Sequence, residues 1–371
     1  MLIIKKIFYF VKSSLIIILT TFFLTLFIDF FFGKVILNKL DPYLSKTEFY
    51  NRLVRIDHKY YHHTLKANVK YLKSPAFNNY HTLCTDNHGF KYKCGTQRSK
   101  NFDVAFLGDS FVEGVALNYE DTFVGIFEKN KKLSVANLGV TSYAPNIYLS
   151  KIKYLLENQY TFEELILFID VGDLYDDNTF YKLNDDFSVG EKKAKEKNLK
   201  RRKFLRNNFP VTNYYMYVIK MNNRLNNSVP PLKSVKPIFD EKAIKKSKWT
   251  YESGNKIEGY DEPISKTKLE MIYSINELYK LLKANNIKLS LVVYPWPQSL
   301  EFDKINSDHV LMWKKFCEGK CHKFLNLFPL FFNEVRKSSY LEVYRKYYFW
   351  NDVHFNSDGN KKIADKLIEE F

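Results

Sequence analysis

Four short stretches of this 371-residue chain set hydroxyl, imidazole or carboxylate groups beside glycine or beside one another. The first is Phe106-Leu107-Gly108-Asp109-Ser110-Phe111, where an apolar run meets a glycine and then a hydroxyl. Glycine permits a tight turn, and the amides that follow such a turn can face the space beyond the strand. The second is Asn137-Leu138-Gly139, whose glycine N–H can serve as an oxyanion donor. The third is Asp170-Val171-Gly172-Asp173-Leu174, and the fourth is Trp350-Asn351-Asp352-Val353-His354-Phe355-Asn356. A carboxylate and an imidazole in that last stretch could orient and deprotonate a distant serine, because a triad is defined by geometry and not by chain order. Taken singly, Asp109-Ser110 reads as an ordinary strand-to-helix turn and His354 as a structural histidine. Taken together, the four stretches hold a nucleophile, a base, an orienting acid and N–H donors, which is what acyl transfer through serine requires.

These groups act together only if secondary structure brings them to one place. Val104 to Leu107, Ser134 to Leu138, Leu165 to Ile169 and Lys288 to Tyr294 read as buried strands, and Phe324 to Leu327 as a fifth. Helical patterns lie between them at Thr122 to Asn130, at Pro145 to Glu157 with proline in the first turn, at Leu269 to Lys283 and around His309 to Glu318. A last helix runs from Ser357 to Glu370. Short strands alternating with helices imply right-handed crossovers and a parallel sheet covered on both faces, a three-layer α/β/α domain over residues 101–371. In such sheets the ligand crevice lies outside the carboxyl ends of the strands, where the first three stretches fall. Residues from about 178 to 262 interrupt the alternation and carry a Lys/Arg-rich tract from Glu191 to Lys203, and they read as a basic insertion.

The blocks Gly108-Asp109-Ser110, Gly139 and Asp352 with His354, in that order, resemble the SGNH/GDSL hydrolase superfamily. The stretch Asp86-Asn87-His88-Gly89-Phe90 is similar to one found upstream in its membrane-associated members. The resemblance covers Asp86 to the C-terminus apart from the insertion. It implies Ser110 as nucleophile, His354 as general base, Asp352 as its orienter, and the Ser110 and Gly139 amides as oxyanion donors. Two positions depart from the family pattern. The third block ordinarily supplies an Asn that donates to the oxyanion, and here stands Gly172-Asp173; an ionised Asp cannot donate, so Asp173 is protonated, another donor substitutes, or activity is low. The acid commonly stands three residues before the histidine, a position held by Asn351, whereas Asp352 is two before it. That shorter spacing is similar to the polysaccharide O-acetyltransferases of the superfamily and favours acyl transfer. No metal or organic cofactor is implied, since serine acyl chemistry needs none.

Ser13 to Phe32 is an apolar run broken only by Asp29, long enough as a helix to cross the roughly 30 Å hydrocarbon core. It ends in Asp29-Phe30-Phe31-Phe32-Gly33 without the small residues of a signal-peptidase site, so residues 1–33 read as an uncleaved anchor, with Asp29 at headgroup depth. Residues 34–100, rich in Tyr, Lys and His, show no clear period and read as a juxtamembrane region. The three histidines His58, His62 and His63 read there as aromatic-polar surface. Cys84 and Cys94 lie ten apart and Cys317 and Cys321 four apart; two local disulfides suit an oxidising compartment, while a zinc site or free thiols are the other readings. The expected topology puts the N-terminus inside and everything after the anchor outside the cytoplasm.

The formal net charge of +16 favours anionic neighbours, whether nucleic acid, phospholipid or acidic glycan. No nucleic-acid recognition motif accompanies it, and an extracytoplasmic domain does not meet nucleic acid. The expected function is a membrane-tethered esterase or O-acyltransferase acting on a cell-envelope glycan or lipid, with a membrane partner as a possible acyl donor. The alternative is a non-catalytic glycan-binding or scaffold module. Tyr294 and Trp296, at the end of the fourth strand, could line a sugar site.

Overall fold

The computed structural model describes residues 2–40, 54–70, 74–76, 79–192, 204, 208–213, 215, 216, 219 and 241–371. They fall into two units. One comprises residues 1–52 and 193–226, and the other residues 53–192 and 227–371. The basic tract beyond Lys192 lies outside the described residues as far as Lys203.

In the first unit, helix α1 spans Leu2–Leu40, and its stretch Val11–Gly33 is long and apolar enough to cross a membrane. Asp29, expected at headgroup depth, is buried in this unit, where its carboxylate accepts the backbone N–H groups of Val211 and Thr212 at 2.8 and 2.7 Å. The Phe30 and Phe209 rings pack 5.8 Å apart beside it.

The second unit begins at Leu53, so residues 54–100 belong with the α/β domain and not to a separate juxtamembrane region. They form two hairpins, β1 (Arg55–His58) with β2 (His62–Leu65) and β3 (Ser74–Ala76) with β4 (Asn79–His81). Strands of three or four mostly polar residues carry too little apolar alternation to be seen in sequence. The cysteines pair as two disulfides, Cys84–Cys94 and Cys317–Cys321.

The main sheet consists of β5 (Val104–Leu107), β6 (Val135–Asn137), β7 (Glu164–Ile169), β10 (Lys288–Val293) and β11 (Lys323–Asn326), all parallel, in the spatial order β6-β5-β7-β10-β11. Strands β8 (Tyr181–Leu183) and β9 (Val189–Glu191) form a separate hairpin. Counted within the sheet the order is 2-1-3-4-5, and the chain reverses direction across β5. Right-handed crossovers therefore put helix α3 (Phe123–Lys131) on one face and α4 (Pro145–Glu157) on the other. Packing agrees: α4 lies against the long helix Ile264–Ala284, and α3 against the last helix, Ser357–Glu370. The three central strands β5, β7 and β10 are buried on both faces, which explains their near-continuous apolar runs. The crevice of a 2-1-3-4-5 sheet opens at the carboxyl ends of β5 and β7, the strands that deliver Ser110 and Asp170–Asp173.

Candidate active site

Strand β5 ends at Leu107, and Gly108 turns the chain into the one-turn helix α2 (Ser110–Glu113). A Cβ on Gly108 would meet the Val112 side chain at 2.5 Å and the Phe168 carbonyl at 3.1 Å, so only glycine lets the turn lie this close to β7. Asp109 caps α2 by accepting the Phe111 N–H at 3.0 Å. Ser110 therefore stands at the first helical position above the switch point, its N–H without an acceptor among the described residues.

His354 arrives from the far end of the chain. Its Nε2 lies 2.7 Å from Ser110 Oγ, and its Nδ1 is hydrogen-bonded to Asp352 Oδ1. The same Asp352 oxygen accepts the His354 backbone N–H at 3.0 Å, so a spacing of two lets one carboxylate fix both backbone and ring. Asn351, at the position three before the histidine, adopts a left-handed φ of 61°, a conformation Asn tolerates better than most residues. Tyr344 holds this loop: its Oη shares one proton between the Phe349 and Asp352 carbonyls, 2.9 Å from each, and accepts the Asp352 N–H at 3.0 Å. Burial alone would push the His354 imidazole down, but the carboxylates of Asp352, Asp109 and Glu113 outweigh it and hold it above its ordinary value.

Three carboxylates lie behind the serine. One oxygen from each of Asp109, Asp170 and Asp173 falls within 4.8 Å of the others, and all three residues are buried. Protein donors line them: Trp296 Nε1 donates to Asp170 at 3.1 Å, Tyr148 Oη to Asp173 at 3.0 Å, and the Asp173 N–H to Asp170 at 2.9 Å. Desolvation pushes all three above the usual carboxylate range; repulsion from Asp170 adds to it at Asp109 and Asp173, which lie well above, while hydrogen bonds with Asp109 and Asp173 and the charge of Lys246 restrain Asp170. The Ser110 hydroxyl lies 3.1 Å from Asp109 Oδ2 and 2.7 Å from His354 Nε2, and the shorter contact marks the imidazole as the acceptor of its proton.

Burial pushes the Asp173 carboxyl well up, yet that carboxyl accepts from Tyr148 Oη and the Asp170 N–H and makes no hydrogen bond to Ser110. It is thus a member of the buried carboxylate group and not a donor reaching the nucleophile. Gly172 explains why no longer side chain stands beside it. A Cβ there would lie 2.8 and 2.9 Å from ring carbons of Trp296. Gly172→Asn is accordingly expected to destabilise by about 1–3 kcal/mol through overpacking, read as a lowered melting temperature. Tyr294 and Trp296 are themselves buried, with their polar atoms turned to Asp109 and Asp170, and do not offer the sugar-binding face considered from sequence.

The turn after β6 completes the site. The Gly139 N–H donates to Asn137 Oδ1 at 3.1 Å, the Thr141 N–H to Glu113 Oε2 at 2.6 Å, and the Tyr143 N–H to the Val140 carbonyl at 3.1 Å. The Gly139 amide expected in the oxyanion hole is therefore already engaged. Ser142, at a left-handed φ of 65°, has the turn's amide without an acceptor among the described residues. Glu113 ties the turn to α2: burial would raise its carboxyl, but Arg55 at 2.8 Å and the Thr141 amide bring it below its usual range. Sequence reasoning missed Arg55, Glu113 and Ser142, because each is defined by a long-range contact or by a backbone angle. The Asp86–Phe90 stretch forms an Asx turn, Asp86 Oδ1 accepting from His88 and Phe90, and presents buried Lys91 to the Gly114 and Leu117 carbonyls just beyond α2.

No family model and no curated protein matches this chain. Solved structures do resemble it. One, from Desulfitobacterium hafniense DCB-2, is described as a lipolytic protein of the G-D-S-L family; it is 12% identical with a TM-score of 0.38, over 73% of this chain and 99% of that one. Another is the psychrotrophic esterase EstA from Pseudoalteromonas sp., in a structure inhibited by monoethylphosphonate, 11% identical with a TM-score of 0.36, over 73% of this chain and 96% of that one. Neither superposition is close, and the arrangement of Ser110, His354 and Asp352 stands on its own distances.

Proposed function

We propose that this chain is a membrane-tethered serine esterase or O-acyltransferase of the SGNH/GDSL type. The observation that carries the reading is the line Asp352–His354–Ser110, with 2.7 Å between imidazole and hydroxyl. Ser110 Oγ attacks the acyl carbonyl as its proton passes to His354 Nε2, and Asp352 stabilises the imidazolium. The oxyanion is held by the Ser110 and Ser142 amides. His354 returns the proton to the departing alkoxide, leaving an acyl-Ser110 ester. Water or a sugar hydroxyl, deprotonated by His354, then takes the acyl group and regenerates the serine.

A glycan or lipid ester of the cell envelope is the substrate class that fits an apolar N-terminal helix, disulfides suited to an oxidising compartment and a surplus of basic residues. In this reading the helix is an uncleaved anchor, and the α/β unit works outside the cytoplasm.

A fluorophosphonate probe tests the central claim. The solubilised wild type should become covalently labelled, and Ser110→Ala and His354→Ala should not. Absence of labelling in the wild type would remove the catalytic reading and leave a scaffold or glycan-binding module; labelling that survives Ser110→Ala would move the nucleophile elsewhere.

A further inference from the structure

Resting on the esterase reading, we infer that His63, in the hairpin β1–β2, is a positioning residue that aims the Ser142 amide at the oxyanion and so replaces the absent side-chain donor of the third block. The peptide bond between Thr141 and Ser142 is trans, so its C=O and N–H point in opposite directions. His63 Nε2 lies 2.9 Å from the Thr141 oxygen. A carbonyl can only accept, so His63 carries its proton on Nε2. Holding the oxygen at one end of the peptide plane fixes the N–H at the other.

The hydrogen bonds continue outward. His63 Nδ1 lies 2.8 Å from His62 Nδ1, and His62 Nε2 lies 3.2 Å from Glu191 Oε1. With its proton on Nε2, His63 must accept at Nδ1, so His62 donates there; the carboxylate also accepts, so His62 donates from its other nitrogen as well. The result is a connected chain in which His62 donates outward to Glu191 and inward to His63, and His63 passes a donor on to the oxygen of the Thr141–Ser142 peptide. Such chains polarise cooperatively, and this one strengthens the Ser142 N–H as a donor. Other bonds fix the remaining atoms around it. Tyr143 Oη donates to the His63 carbonyl at 2.7 Å, Tyr181 Oη to the Ser142 carbonyl at 2.7 Å, and Arg55 to Thr141 Oγ1 at 2.7 Å. The peptide that carries the donor is thus clamped at its own oxygen and on both sides.

The test compares His63→Phe, which fills the space without a donor, with His63→Gln, whose amide nitrogen can reach the same carbonyl. Turnover of p-nitrophenyl acetate by the solubilised full chain is followed, with melting temperature as a check on folding. His63→Phe should lower kcat by about 10- to 100-fold with KM nearly unchanged, the scale of a misplaced catalytic group, and His63→Gln should recover most of the loss. Full activity in His63→Phe, or a His63→Gln protein as slow as His63→Phe, overturns the assignment. Should the Phe variant not fold, nuclear magnetic resonance of histidine-labelled wild type decides. Phosphonylation of Ser110 should shift the His63 Nε2–H proton downfield, as the phosphonyl oxygen draws on the Ser142 N–H. An unmoved signal on phosphonylated protein overturns the role of His63 alone, whereas failure of Ser110 to be phosphonylated overturns the esterase reading beneath it.

Discussion

Replacing Ser110 by Ala should lower kcat for a simple ester by about 10⁴- to 10⁶-fold, the range seen when a serine nucleophile with a paired base is removed. The geometry makes the loss this large because, among the described residues, the imidazole has no other hydroxyl to act on: His354 is hydrogen-bonded to Ser110, to Asp352 and to backbone. The residual rate is set by the amides that bind the oxyanion, which the substitution leaves in place. For the same reason the double variant Ser110→Ala/His354→Ala should be no slower than either single one, since the two groups act as a unit. Steady-state hydrolysis of p-nitrophenyl acetate measures both. A Ser110→Ala rate within tenfold of the wild type, or losses that multiply in the double variant, would show that the pair does not work together.

The second large effect is expected from Asp352→Asn, about 10⁴-fold in kcat. Asp352 can only accept from Nδ1, which keeps the imidazole proton there and the Nε2 lone pair toward Ser110. An Asn amide can donate to Nδ1 instead, moving the proton to Nε2 and leaving nothing to take the serine proton. The pH profile adds an independent signature. His354 must be neutral to act as a base, and in the wild type it lies above its ordinary 6.5, because Asp352, with Asp109 and Glu113, outweighs the burial that lowers it. The acid limb of kcat/KM should therefore fall above pH 6.5. Removing the Asp352 charge leaves burial with less opposition, so the limb of the residual activity should shift to lower pH. A profile that stays in place while the rate falls would mean that Asp352 acts through the fold of its loop and not through the ring.

What could be read from the sequence was whatever local chemistry writes into consecutive residues. Pro145 marked the start of its helix, Ser357 and Glu370 the ends of the last one, and the apolar runs at Val104 and Leu165 marked two central strands. The departures came where distant residues decide. Gly172 is legible as a missing Asn, but only Trp296, far along the chain, shows that the space is filled. Gly139 has the sequence of an oxyanion donor, yet Asn137 two residues earlier takes its N–H. The histidines of the β1–β2 hairpin looked like surface because two adjacent polar residues carry no period. The partial burial of His63 comes from the turn after β6 and from Tyr143, which no local pattern announces.

The interaction of Asp29 with Val211 and Thr212 bears on how this protein can be produced in soluble form. The segment that includes Phe209 to Asn213 is joined at both ends to the α/β unit but packs with the N-terminal helix. Truncating the first 52 residues removes the acceptor of two backbone N–H groups and the ring against which Phe209 rests. Those groups are then left to water or to another molecule, an invitation to aggregate that has nothing to do with the catalytic fold. Expression of a detergent-free form should accordingly fare better when residues 193–226 are deleted together with the N-terminal helix than when that helix alone is removed.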